Sequence, residues 1–249
     1  MLYIKHSLQL SLKRSAHVIA VSEKTREDLE ALFNLDKKKV TVIHHGVTSL
    51  SPSSNAPRSG RSQETNQFAD YLLFVGERRP HKNLENLILA FAIYIKKKGP
   101  EKLLIVGKSY SDYVEPERLV ERLGIQDRVI FEGYIDDQRL ERLYGNARLF
   151  ILPSYYEGFG LPLFEAMSHG LPVIASDRSC IPELVGDSAW LIDPDSPEEI
   201  AHAMDALMSD EKKRGELVKK GRERISDLTW ERTAGKTLCC YREIYQRCQ

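Results

Sequence analysis

The chain has 249 residues, enough for one large domain or two small ones, and its 36 basic residues balance its 36 acidic ones. That balance removes the electrostatic argument for a nucleic-acid partner, and no apolar run approaches the roughly 18 residues of a membrane span. The N-terminus lacks an apolar leader core, and four cysteines, three of them crowded at the end (Cys239, Cys240, Cys248), make no C-x-x-C spacing. The expectation is a cytoplasmic chain with reduced thiols.

Residues 1–48 read as helix (3–15), strand (His17–Val21), helix (Ser22–Asn34) and strand (Val40–His44), with Ser22 as N-cap before a polar first turn. Two strands buried on both faces need neighbours and covering helices, which so short a piece does not supply. The expectation is the tail end of another domain. A Ser/Pro/Asn-rich stretch, 49–66, marks a linker spanning 49–70.

Six apolar runs follow: Tyr71–Gly76, Lys102–Gly107, Arg128–Gly133, Leu149–Ser154, Leu171–Ser176 and Ala189–Asp193. Each is continuous rather than alternating, the pattern of strands covered on both faces. Helical patterns separate them. The clearest is 83–98, with Leu84, Leu87, Ile88, Phe91 and Ile95 on one stripe, Asn83 placed to cap it, and Gly99-Pro100 ending it. Strand alternating with helix predicts an α/β domain, a doubly wound parallel sheet over 71–228, with ligands at the carboxyl ends of its strands. A last helix, Trp230 to about Tyr245, follows a Thr229 cap, so 229–249 stands apart as a C-terminal helix.

Two loops carry candidate chemistry. The segment Glu77-Arg78-Arg79-Pro80-His81-Lys82-Asn83 leaves a strand and enters a helix, which sets three fixed cations at the positive end of a helix dipole. That placement is unfavourable by about 0.3–1 kcal/mol per charge at an exposed site. One reading is a solvated, screened loop; the other is an anion site where Lys82 and one arginine meet a diphosphate. The second loop is Glu157-Gly158-Phe159-Gly160-Leu161-Pro162-Leu163-Phe164-Glu165, with Pro162 at the start of a helix ended by Gly170 and Pro172. Its glycines and free helix-start N–H groups suit a phosphate, while Glu157 and Glu165, read as lying in the first turn, suit sugar hydroxyls.

The second loop resembles the E-x7-E signature of retaining glycosyltransferases of the GT-B fold, the glycosyl transferases group one family. Ala20-Val21-Ser22, Ile43-His44-His45-Gly46-Val47, Lys82-Asn83-Leu84, Pro153-Ser154, Gly170-Leu171-Pro172-Val173, Ile181-Pro182-Glu183 and Thr229-Trp230 stand in the family's order. The resemblance implies the Rossmann-like donor-binding half of a GT-B enzyme, with 1–48 a remnant of the amino-terminal acceptor domain and 229–249 returning toward it. It implies transfer of a sugar from a nucleotide-sugar to an acceptor hydroxyl with retention, no cofactor and no bound metal. Lys82, with Arg78 or Arg79, would bind the diphosphate, and Glu157 with Gly158, Phe159 and Gly160 would contact the donor sugar. Leu161 N–H would lie near the phosphates, Glu165 would accept from ribose hydroxyls, and Gly133, Tyr134 and Ile135 would border the base.

Similarity to bacterial polysaccharide mannosyltransferases points to GDP-mannose, with a glycan or lipid-linked acceptor reached at the cytoplasmic face of a membrane. One departure stands out: many relatives read G-R-x-x-x-x-K, and here Glu77 holds the arginine position. The rival reading is an incomplete or non-catalytic nucleotide-sugar-binding module that needs a separate chain for activity; the partners expected are such an N-terminal domain chain or further copies in a homo-oligomer. A third, an epimerase on the same fold, predicts conversion of the nucleotide-sugar without acceptor. Val106-Gly107-Lys108-Ser109 lacks the first glycine of a P-loop, and Asp193-Pro194-Asp195 reads as a turn, with Asp195 or Ser196 capping a helix.

Overall fold

Strands that are apolar on both faces need cover on both faces, and six of the runs find it in one wholly parallel sheet. A computed structural model describes residues 2–47, 70–96 and 100–247. The chain divides into two compact units, Ser49–Asp227 and a unit formed by Met1–Thr48 with Leu228–Gln249.

The larger unit carries β3 (Tyr71–Val75), α3 (Leu84–Ile95), β4 (Lys102–Val106), α4 (Glu115–Leu123), β5 (Val129–Glu132), α5 (Asp137–Asn146) and β6 (Leu149–Leu152). It continues through α6 (Leu161–Ser168), β7 (Val173–Ser176), α7 (Ile181–Val185), β8 (Trp190–Ile192), α8 (Pro197–Ser209) and α9 (Glu211–Ser226). The sheet order is β5-β4-β3-β6-β7-β8. The inner strands β3, β4, β6 and β7 are buried almost throughout, and the edges β5 and β8 are half-buried. The doubly wound sheet is therefore present as read from the sequence.

The winding reverses between β3 and β6. From β3 the chain steps outward through β4 to β5; it then returns to β6 and steps the other way. Loops after the two strands at such a reversal splay apart and leave a crevice at their carboxyl ends. Those loops, 76–83 and 153–160, contain the segment Glu77–Asn83 and the first half of Glu157–Glu165 singled out above, the rest of the latter lying in α6.

Capping is mixed. Ser196 caps α8, its Oγ accepting from the Glu199 N–H, so Asp193-Pro194-Asp195 belongs to a helix entry. Asn83 does not cap α3: it sits at φ 58°, ψ 43°, whereas an N-cap needs an extended backbone. A short 3-10 turn, Pro80–Lys82, feeds it into that geometry. Its Nδ2 donates instead to the Pro153 (3.1 Å) and Pro194 (2.7 Å) carbonyls, tying the start of α3 to the ends of β6 and β8. Lys97, Lys98 and Gly99, expected at the end of that helix, lie outside the described residues, as do the linker from 49 to 69 and Cys248.

The smaller unit contains α1 (Leu2–Arg14), β1 (Val18–Ala20), α2 (Glu23–Phe33), β2 (Val40–Val42) and α10 (Trp230–Arg247). β1 and β2 form a two-stranded parallel sheet. Ser22 caps α2 through the Thr25 N–H, and Thr229 accepts from the Arg232 N–H at the head of α10. Thr233 Oγ1 donates to the His44 carbonyl at 2.8 Å, and Val47 N–H to that of Leu228, which seats α10 on the chain leaving β2.

Candidate functional site at the strand reversal

Lys82 and Glu157 meet across the crevice. Lys82 Nζ lies 2.7 Å from Glu157 Oε1, and the two side chains are 13% and 10% exposed. Two residues 75 positions apart are thus brought together by the loops after β3 and β6. Both charges are largely withdrawn from water, a cost their attraction offsets while the pair holds. The Tyr155 N–H donates to the His81 carbonyl at 2.8 Å, a second tie between the loops. His81 titrates below its ordinary value, first through burial and then through the neighbouring Lys82.

The glycines follow directly. Gly160 is the residue before α6, at φ 77°, a conformation that a side chain strains. A Cβ there would also press on Leu163 Cδ1 at 3.0 Å and sit 4.0 Å from Glu157 Cγ. At the start of α6 Pro162 has no N–H and the Leu163 N–H donates to the Gly160 carbonyl, so it is the Leu161 N–H that opens beside the Lys82–Glu157 pair. Phe159 is buried against Phe164, which anchors the loop between Gly158 and Gly160.

Glu165 stands in the second turn of α6 rather than the first, because the helix begins at Leu161. Its Oε2 accepts from the Tyr144 hydroxyl at 2.9 Å. Burial first, then the charge of Glu165, raises the Tyr144 pKa well above the usual range, so that hydroxyl stays a donor. The carboxylate retains further acceptor capacity.

The arginines part company. Arg78 is buried, its guanidinium over the Phe131 ring and bonded to Glu117 at 2.5 Å. Arg79 remains about one third exposed, lies over the Tyr110 ring and has Asp112 at 3.7 Å. Arg78 and Lys82 are thus matched by partly or largely buried carboxylates of the same chain, whereas Arg79 stays open to solvent. Beyond β5, a Cβ at Gly133 would meet nothing within 4 Å, and Tyr134 is 86% exposed, so the chain leaving this strand is open to solvent. Ile135, next along, is half-buried.

Among the described residues no group of three or more His, Cys, Asp or Glu is placed to hold a metal ion. His45 of the His44-His45 pair packs near Trp230, with ring centroids 6.2 Å apart. No helix among the described residues is long and apolar enough to cross a membrane.

Compared with known proteins, residues 58–224 match the model for Glycosyl transferases group 1. The chain belongs to this family. Residues 2–49 match a second model, Glycosyltransferase Family 4. The chain is 31% identical to O-antigen chain mannosyltransferase B of Escherichia coli, over 96% of this chain and 64% of that protein. It is 30% identical to the O-antigen chain mannosyltransferase RfbU of Salmonella typhimurium, over 78% of this chain and 51% of the relative. It thus spans less than two thirds of the length of these relatives.

Among solved structures, the sucrose-phosphate synthase of Thermosynechococcus elongatus superposes with a TM-score of 0.77 at 28% identity, covering 98% of this chain and 62% of that one. HepE of Anabaena, solved with UDP and glucose, gives 0.83 at 22% identity, over 96% and 67%. That second likeness is one of fold.

The segment 157–165 begins and ends in carboxylates with different surroundings. Glu157 is held by a cation, and Glu165 by a neutral hydroxyl. Three residues that the sequence reading passed over, Tyr144, Ser179 and Cys180, touch these glutamates. Each comes from an element far along the chain, and no spacing within the signature marks them.

Proposed function

We propose that this chain is the donor-binding part of a glycosyltransferase that moves a sugar, mannose carried on GDP, to an acceptor hydroxyl with retention of configuration. The observation that carries the reading is the Lys82–Glu157 pair at the strand reversal, beside the N-terminus of α6. The names of the E. coli and Salmonella relatives support mannose. The UDP and glucose in HepE support a nucleotide-sugar, as a property of that protein.

The pairing suggests how the site is used. Without ligand, Lys82 and Glu157 neutralise each other. A diphosphate brings more charge than one carboxylate and draws Lys82 to itself, which releases Glu157 to accept hydrogen bonds from sugar hydroxyls. As the bond from the anomeric carbon to the phosphate oxygen breaks, charge gathers on the departing nucleoside diphosphate. Lys82 and the Leu161 N–H at the head of α6 are fixed where that charge grows and favour the transition state over the bound substrate. Glu157 orients the sugar, and Glu165, kept company by Tyr144, serves the ribose.

Calorimetry on the whole chain with GDP-mannose, GDP and guanosine tests this. Lys82→Ala is expected to weaken GDP and GDP-mannose by about 1.5–3 kcal/mol, the scale of a charged hydrogen bond, and to leave guanosine unchanged. Equal losses for all three would remove Lys82 from the phosphate site. Incubation of the wild-type chain with GDP-mannose and an acceptor separates turnover from binding alone, and the latter outcome marks a module.

A further inference from the structure

The peptide groups of Glu157 are held by a loop on another strand. Ser179 Oγ donates to the Glu157 carbonyl at 2.9 Å and lies 3.3 Å from the Glu157 N–H, which donates to it. Cys180 Sγ donates to the same carbonyl at 3.0 Å. These bonds cross 22 and 23 residues of sequence, from the turn after β7 to the turn after β6. The clamping turn is itself anchored at its base: the Arg178 N–H donates to Ser176 Oγ, and the Asp177 N–H to the Ile192 carbonyl at the end of β8.

Two features set this clamp apart from ordinary loop bonding. Ser179 sits at φ 58°, in the left-handed region that a serine occupies at a cost and a glycine occupies freely. Such strain persists where the surroundings impose it and points toward a functional demand for that side chain. Cys180 is fully buried, and burial followed by the charge of Glu157 pushes its thiol up to about 12. It therefore stays protonated and remains a donor to the carbonyl at any physiological pH.

Glu157 needs such support. Gly158 follows it and has no side chain to pack, so beyond the Phe159 anchor the direction of its Cα–Cβ bond depends on contacts from elsewhere in the chain. We propose that Ser179 and Cys180 are positioning residues that fix the Glu157 backbone, and so aim its carboxylate at Lys82 in the empty site and at the donor sugar in the filled one. This rests on the donor-site reading above. Neither residue touches the substrate; both act through Glu157.

The decisive variant is Ser179→Gly, which removes the hydroxyl while relieving the backbone, so folding is not put at risk. Calorimetry with GDP and with GDP-mannose is expected to show GDP-mannose weakened about tenfold or more and GDP changed by less than about threefold, with an unchanged melting temperature. Cys180→Ser keeps an O–H donor on the carbonyl and should bind both ligands as the wild type does, whereas Cys180→Ala should repeat the selective loss. Equal weakening of GDP and GDP-mannose, or no change in either, overturns the proposal.

If the wild type binds neither ligand, the donor reading fails, and the positioning role is judged by a crystal structure of Ser179→Gly. A Lys82–Glu157 separation beyond about 4 Å, past the limit of an ion pair, upholds it. The pair unchanged at 2.7 Å overturns it.

Discussion

At the scale of single residues, the two arginines after β3 show how little a charge in sequence says about its task. By the resemblance read from the sequence, either was a candidate for the place of the arginine where Glu77 stands. Arg78 is spent on packing: its side chain is 8% exposed, bonded to Glu117 and laid over Phe131. Arg79 stays accessible on the face of Tyr110, beside an Asp112 that is itself mostly exposed. Arg78→Ala is therefore expected to destabilise the fold by about 2 kcal/mol, less than for a fully buried pair because Glu117 is one third exposed to water. Its GDP affinity should hold. Arg79→Ala should do the reverse, lowering GDP affinity roughly tenfold with stability within about 0.5 kcal/mol of wild type. Urea melts and calorimetry on both variants check the pair, and a loss of GDP affinity in Arg78→Ala with intact stability would reassign the phosphate role to Arg78.

Elements were more legible than partners. Six continuous runs announced six strands, because a strand covered on both faces has no polar side to betray an alternation. The crevice was legible as a class of place, the carboxyl ends of parallel strands. Which two strands flank it was not, since that depends on the sheet order. Contacts made across 75 residues, such as Lys82 to Glu157, leave no local pattern, and neither does the spending of Asn83 on two distant carbonyls instead of a helix cap.

The strand-end glycines make the same point. In sequence Gly107 and Gly133 look alike. In the fold, Gly107 has φ 145°, and a Cβ there would lie 1.9 Å from the Gly76 carbonyl oxygen, so the ends of β3 and β4 touch backbone to backbone. Gly133 faces open space. Gly107→Ala is expected to destabilise by about 3 kcal/mol or more, combining a strained backbone with a clash that no side chain can relieve. Gly133→Ala should stay within about 0.5 kcal/mol. Denaturant melts of the two variants decide it, and equal stability would mean that the β3–β4 ends yield more easily than their backbone contact implies.

For the whole molecule, the uneven distribution of apolar surface matters most. The unit formed by residues 1–48 and 228–249 has a sheet of two short parallel strands, whereas parallel sheets are ordinarily buried on both faces. Leu8 and Leu10 on α1, Leu32 on α2, and Leu238, Tyr241 and Tyr245 on α10 are exposed. An open groove of about 660 Å³, lined by His17, Ile19, Cys240, Tyr241, Ile244 and Tyr245, runs between β1 and α10. Exposed apolar surface on so small a unit, next to strand edges that pair with nothing among the described residues, favours association over solvation. The balanced charge of the chain offers no net repulsion to oppose it. The purified chain is therefore expected to associate at concentrations of roughly 10 µM and above, by light scattering. Leu238→Glu with Tyr241→Glu, which places two charges on the exposed face of α10, should shift it toward the monomer and leave GDP-mannose affinity unchanged, because α10 belongs to the smaller unit and the donor site to the larger. A wild-type chain that stays monomeric at roughly 100 µM would show that this surface is satisfied within the molecule. An associated chain that the double substitution does not dissociate would instead place the contact on α1 or on the edges of β1 and β2.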